Sequence, residues 1–73
     1  MKNITLPIVI EEDSDRFFVS CLALQGCYSQ GDTYEEALAN IKDAIKLHIE
    51  HRLADGEEIP QVSVSLSTVE ITV

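Results

Sequence analysis

Residues 31–56 read GDTYEEALANIKDAIKLHIEHRLADG, and this stretch decides the architecture. Thr33 is followed three residues later by Glu36, the spacing of a capping box. In that motif the threonine hydroxyl accepts from the Glu36 N–H while the Glu36 carboxylate reaches back to the N–H of Thr33. Asp32, Glu35 and Glu36 also set negative charge at the positive end of the helix dipole. Tyr34, Ala37, Leu38, Ile41, Ala44, Ile45 and His48 then step by three and four, the apolar stripe of a helix. Glu35, Lys42, Asp43, Lys46 and Glu50 point elsewhere, with Lys46 and Glu50 as an i,i+4 pair. The helix is expected to run from the Thr33 cap to about Ala54. Gly56 supplies a left-handed stop and Pro60 the exit.

Working back from the helix, three short segments read as strands. Ile4, Leu6, Ile8 and Ile10 alternate with Thr5, Pro7, Val9 and Glu11, a period of two that predicts a first strand over 4–10. Pro7 has no ladder N–H, so this strand belongs at a sheet edge. Glu11 to Asp15 (EEDSD) reads as a hairpin turn, and Arg16 to Leu24 (RFFVSCLAL) as the second strand. Phe17, Val19, Cys21 and Ala23 share one of its faces, and Phe18, Ser20, Leu22 and Leu24 the other. Both faces are apolar enough for a central strand. Gln25-Gly26 marks a turn, Cys27 to Gln30 a third strand, and Gly31-Asp32 its end.

Beyond the helix, Gln61 to Val73 carries one charge, Glu70. Val62, Val64 and Leu66 alternate on even positions, while Val69, Ile71 and Val73 alternate on odd ones. A single strand would swap faces there, so a bulge or bend is expected near Ser67 and Thr68. The chain therefore reads as one α+β domain over residues 1–73. The order is β-β-β-α-β, an antiparallel sheet with one long helix on one face and nothing to cover the other.

The composition bounds the function. The 73 residues carry five Lys and Arg against thirteen Asp and Glu, a formal net charge of −8. Nucleic-acid binders cluster basic side chains against phosphates; here Lys2, Arg16, Lys42, Lys46 and Arg52 are scattered. Direct nucleic-acid binding and adhesion to anionic membranes are not expected. The N-terminus lacks a signal-peptide pattern and no run of about 18 apolar residues occurs, so a cytoplasmic chain without a membrane span is expected. Cys21 and Cys27 are too few for a disulfide scaffold and are expected as reduced thiols. A core this small gains from added burial, so a homodimer or higher oligomer is expected.

No constellation of residues points to chemistry. Glu11, Glu12, Asp13 and Asp15 fit a solvated turn better than a calcium loop, which needs more ligands and a glycine at the bend. His48 and His51 are spaced i,i+3, whereas a zinc helix offers i,i+4. Cys21 reads as buried and inert. Cys27 follows a turn glycine and is expected to be partly exposed, but no base lies near it in sequence to make it a nucleophile. Gly26, Gly31 and Gly56 are isolated, so no phosphate-cradling loop exists. No enzyme activity, metal or cofactor is expected.

One resemblance remains. Gly26-Cys27, Gly31-Asp32-Thr33, Glu35-Glu36-Ala37, Asn40-Ile41 and Ala44-Ile45 follow in the order typical of the HicB antitoxin family. The acidic turn leading into the aromatic start of the second strand, Glu12 to Phe18, is similar too. The resemblance covers residues 4 to 54 clearly and the last strand loosely; Gln25 stands where the family usually has proline. It implies a β-β-β-α-β domain similar to a degenerate ribonuclease-H-like fold. It further implies that the chain binds a small basic mRNA-cleaving toxin, HicA, and occludes its active site. Many family members add a C-terminal DNA-binding domain; this sequence ends at Val73, so operator binding is not expected. Nuclease chemistry is not expected either, since the strand interiors 4–10 and 17–24 hold no carboxylates for metal ions. The alternative is a solitary self-assembling or ligand-binding module with no toxin.

Overall fold

A computed structural model describes residues 4–73 and arranges them as β1 (Ile8–Asp13), β2 (Arg16–Cys21), β3 (Tyr28–Gly31) and α1 (Tyr34–Ala54). The strands form an antiparallel sheet in the order β1-β2-β3, with the aromatic-led strand in the centre as its two apolar faces require. This is the expected α+β arrangement of three antiparallel strands followed by one long helix.

Element ends differ from the sequence pattern for local reasons. β1 begins at Ile8, just past Pro7, which has no N–H for a ladder. It continues through the acids, with Glu11 opposite Phe18, Glu12 opposite Phe17 and Asp13 opposite Arg16. The turn is therefore only Ser14-Asp15, and Ser14 takes a left-handed φ of 57°. β2 stops at Cys21 because the chain folds back on itself. The Leu24 N–H donates to the Cys21 carbonyl, the Cys27 N–H to the Leu24 carbonyl, and the Cys21 N–H to the Cys27 carbonyl. Strand parity no longer applies past Cys21, so Leu24, expected on the face opposite Val19 and Cys21, is buried with them in the core. β3 starts one residue late, at Tyr28.

The helix matches its signals closely. The Glu36 N–H donates to the Thr33 hydroxyl at 3.0 Å, as the capping box requires. The return bond differs: the Glu36 carboxylate accepts from the N–H of Asp32 at 3.4 Å rather than from Thr33. At the other end the Glu57 N–H donates to the Arg52 carbonyl and the Gly56 N–H to the Leu53 carbonyl. Gly56 has φ 76°, so the helix closes in a Schellman motif. Lys46 and Glu50 form no ion pair among the described residues, in keeping with the small gain such exposed pairs offer.

The core lies between the helix and one sheet face. Val19, Cys21, Ala23, Leu24, Cys27, Ala37 and Ile41 are buried, with Ile8, Ile10, Phe17, Ala44, Ile45 and Ile49 packed around them. Ile49 joins the stripe that the sequence reading ended at His48. The other sheet face, with Phe18 and Tyr28, is uncovered. The expected fourth strand is not formed: residues 61–73 pair with no strand among the described residues and stay exposed. Alternation specifies which side chains share a face, but a strand exists only where a second strand accepts its hydrogen bonds.

Candidate functional site

The register brings together two acidic groups that lie apart in the sequence. Asp13 pairs with Arg16, and Phe17 with Gly31. The β1-β2 turn and the end of β3 therefore sit at the same end of the sheet, where the helix also begins. Glu11, Glu12, Asp13 and Asp15 from the hairpin thus share one end of the molecule with Asp32, Glu35 and Glu36 from the helix start, and all seven are exposed. An ion pair ties the start of β2 to the helix-start acids, Arg16 Nε to Asp32 Oδ1 at 3.4 Å. Both partners face solvent, so the pair contributes little stability. Arg16 is thereby engaged. Lys42 and Lys46 lie about 12 and 18 Å further along the helix axis, and Arg52 is held at its far end. The result is an acidic pole. Its aromatic component is the edge-to-face pair of Phe17 and Tyr34, with centroids 6.2 Å apart, and the Tyr34 ring is half exposed.

A cleft of about 400 Å³ beside the second half of the helix is lined by Tyr28, His48, His51 and Arg52 among others. There the Arg52 Nε–H donates to His48 Nε2 at 3.1 Å, and the Arg52 guanidinium also donates to the Glu58 carbonyl. His48 is thus an acceptor for a neighbouring side chain. Among the described residues no three His, Cys, Asp or Glu side chains converge as metal ligands. Cys27 is buried rather than partly exposed, which corrects the sequence reading. Burial, and secondarily the neighbouring Cys21, push its thiol above the ordinary value of 9.0, the opposite of what a nucleophilic thiolate requires.

A family model described as the HicB-like antitoxin of bacterial toxin-antitoxin system matches residues 6–71. The chain belongs to the HicB-like antitoxin family. Among its relatives, an uncharacterised 14.9 kDa protein in the rep-hol intergenic region of Haemophilus phage HP1 is 49% identical over 55 residues, covering 75% of this chain. The chain spans only 41% of that phage protein's length. A UPF0150 protein of Synechocystis is 37% identical over 90% of this chain and 85% of its own. Another, from Thermoplasma acidophilum, is 41% identical over 85% of this chain and 91% of its own. No solved structure matches the chain significantly.

The residues that carry the HicB-like pattern meet at the β3–α1 junction and in the core. Gly26 takes a left-handed φ of 79° in the turn before β3. Gly31 lies against the helix backbone: a Cβ there would sit 2.9 Å from the Ala37 Cα and the Glu36 carbonyl carbon. The Asn40 side-chain amide donates to the Gln30 carbonyl at 2.8 Å, tying the helix to β3. Ala37 and Ile41 are buried, and Ala44 and Ile45 half-buried beside them. Asp32, Thr33 and Glu36 form the helix cap. The pattern therefore touches the acidic pole only through its capping residues. Sequence reasoning assigned the hairpin acids to a turn and the helix acids to the dipole. The signal that unites them is that β2 is antiparallel to both neighbours, which brings the start of β2 beside the end of β3.

Proposed function

We propose that this HicB-like chain binds a small basic RNA-cleaving toxin of the HicA type and blocks its active site, acting in the cytoplasm and without catalysing a reaction itself. The observation that carries this reading is the acidic pole. A ribonuclease must hold phosphates, and it does so with basic side chains. A pole of seven exposed acids, on a domain of formal charge −8, complements such a surface. Opposite charge speeds encounter and fixes orientation more than it sets affinity. The half-exposed Tyr34 ring beside the acids suits a protein partner, since aromatic anchors dominate interface cores.

The test is co-expression with a small basic protein of the HicA type, sought in the neighbouring reading frames, followed by binding kinetics. Growth should be rescued by the native chain. Glu12→Lys with Glu35→Lys should slow association by about tenfold at low salt and flatten its salt dependence. A toxin that stays lethal, or kinetics indifferent to charge reversal at the pole, overturns the reading. A module that assembles with copies of itself and has no toxin is the second reading, favoured by the apolar tail.

A further inference from the structure

We infer that the C-terminal segment 61–73 is an exchanged arm, which fills the groove between β1 and α1 of a second copy of this chain and completes its sheet as a fourth strand. The groove is present and open. It has a volume of about 380 Å³ and is lined by Leu6, Ile8, Leu38, Ile41, Ile45 and Ile49 among others. It lies between α1 and the lead-in to β1, Ile4 to Ile8, and among the described residues no strand pairs with the outer edge of β1. The arm has the complementary chemistry, alternating aliphatic residues with Glu70 as its only charge.

The arm also has the geometry of an exchanged element. It leaves the body next to the start of β1, where Ile59, Pro60, Gln61 and Val62 line a common hollow with Ile4 and Leu6. It then departs instead of entering the adjacent groove. Leu66 is 95%, Val69 81% and Ile71 76% exposed. The radius of gyration is 14.4 Å and the longest extent 49 Å, against about 11 Å for a compact 73-residue domain. Such an arm leaves a row of unpaired backbone groups beside an unpaired sheet edge, a self-complementary pair of surfaces that a two-fold dimer satisfies twice.

The size fits a second copy. Thirteen arm residues and eight groove residues from each chain make about 21 a side, within the 20–30 of an ordinary specific interface. The two chains repel, each carrying −8, but the arm that bridges them holds only one of those charges, Glu70. Added salt therefore favours this dimer, whereas it weakens a complex with a basic toxin. The inference holds with or without a toxin.

The experiment is sedimentation of the full chain across concentration and salt, with hydrogen exchange of the arm amides. The expected mass is twice 8.1 kDa, with dimerisation strengthened by salt and arm protection that rises with protein concentration. Val69→Asp with Ile71→Asp should raise the dimer dissociation constant by about a hundredfold or more, since each carboxylate must be buried in the groove. Both sites are exposed in the single chain, so helical circular dichroism should be unchanged. A dimer indifferent to these substitutions overturns the inference. So does a monomer, whether its arm amides are protected by the chain's own groove or exchange freely.

Discussion

Replacing Gly31 with alanine tests how β3 is joined to α1. Gly31 is not in the left-handed region, so backbone preference alone makes the change harmless. Space makes it harmful: the new methyl would lie 2.9 Å from the Ala37 Cα and the Glu36 carbonyl carbon, and both are main-chain atoms of a capped helix. Overpacking a rigid site costs about 1–3 kcal/mol. With backbone on the far side, the upper part of that range applies, about 2–3 kcal/mol. For a domain of this size each kcal/mol moves the melting temperature by about 4–8 °C, so Gly31→Ala should lower it by about 10–20 °C. Gly26→Ala is the control, because Gly26 has φ 79° and open space around its missing Cβ; it should cost about 1 kcal/mol. Thermal and urea unfolding followed by far-UV circular dichroism reads both. A Gly31→Ala chain within about 0.5 kcal/mol of native, or one more stable than Gly26→Ala, would refute close backbone approach as the reason for glycine.

Other consequences can be checked on the same chain. Thr33→Ala removes the acceptor for the Glu36 N–H and should cost about 1 kcal/mol, with Thr33→Ser restoring most of it. Asn40→Ala breaks the bond to the Gln30 carbonyl and should cost about 0.5–1.5 kcal/mol in urea unfolding. Iodoacetamide should label Cys27 at least about tenfold more slowly in the native chain than in urea at pH 8, because burial keeps its thiol protonated. The same shift has a pH signature. The folded chain holds the Cys27 proton above the ordinary 9.0, so this contribution is full below that pH and is lost as pH rises through the folded value. Cys27→Ala should remove that part of the alkaline decline.

The helix was legible because its signals are local. Thr33, Glu36 and Gly56 each act within one turn, and the apolar steps from Ala37 to Ile45 need only the helical period. The strands were legible as existing but not as bounded. Pro7 delays β1, Glu11 to Asp13 are drawn into the ladder by Phe18, Phe17 and Arg16 opposite, and the Cys21–Cys27 hydrogen bonds end β2 early. Each of these depends on a partner strand or loop that a linear pattern does not reveal. The burial of Leu24 and Cys27 follows from that same fold-back. The acidic pole was hidden for a related reason: its halves lie about twenty residues apart, and only the two registers of β2 place them side by side. The last segment marks the limit, since an alternating pattern carries no information about which chain supplies the other half of a ladder.

The close approach of Gly31 to the first turn of the helix means that sheet and helix backbones meet here, with the Asn40 side-chain amide as a second tie, onto the Gln30 carbonyl. Apart from the helix cap and Glu35 at the helix dipole, the acids around that junction are exposed and lie outside the core. Substitution at Glu11, Glu12, Asp13 and Asp15 should therefore leave the architecture intact while it changes what the pole can recognise. A lineage carrying this fold can follow a changing partner surface one side chain at a time, with its scaffold held by Gly31, the Asn40 amide and the Thr33 cap.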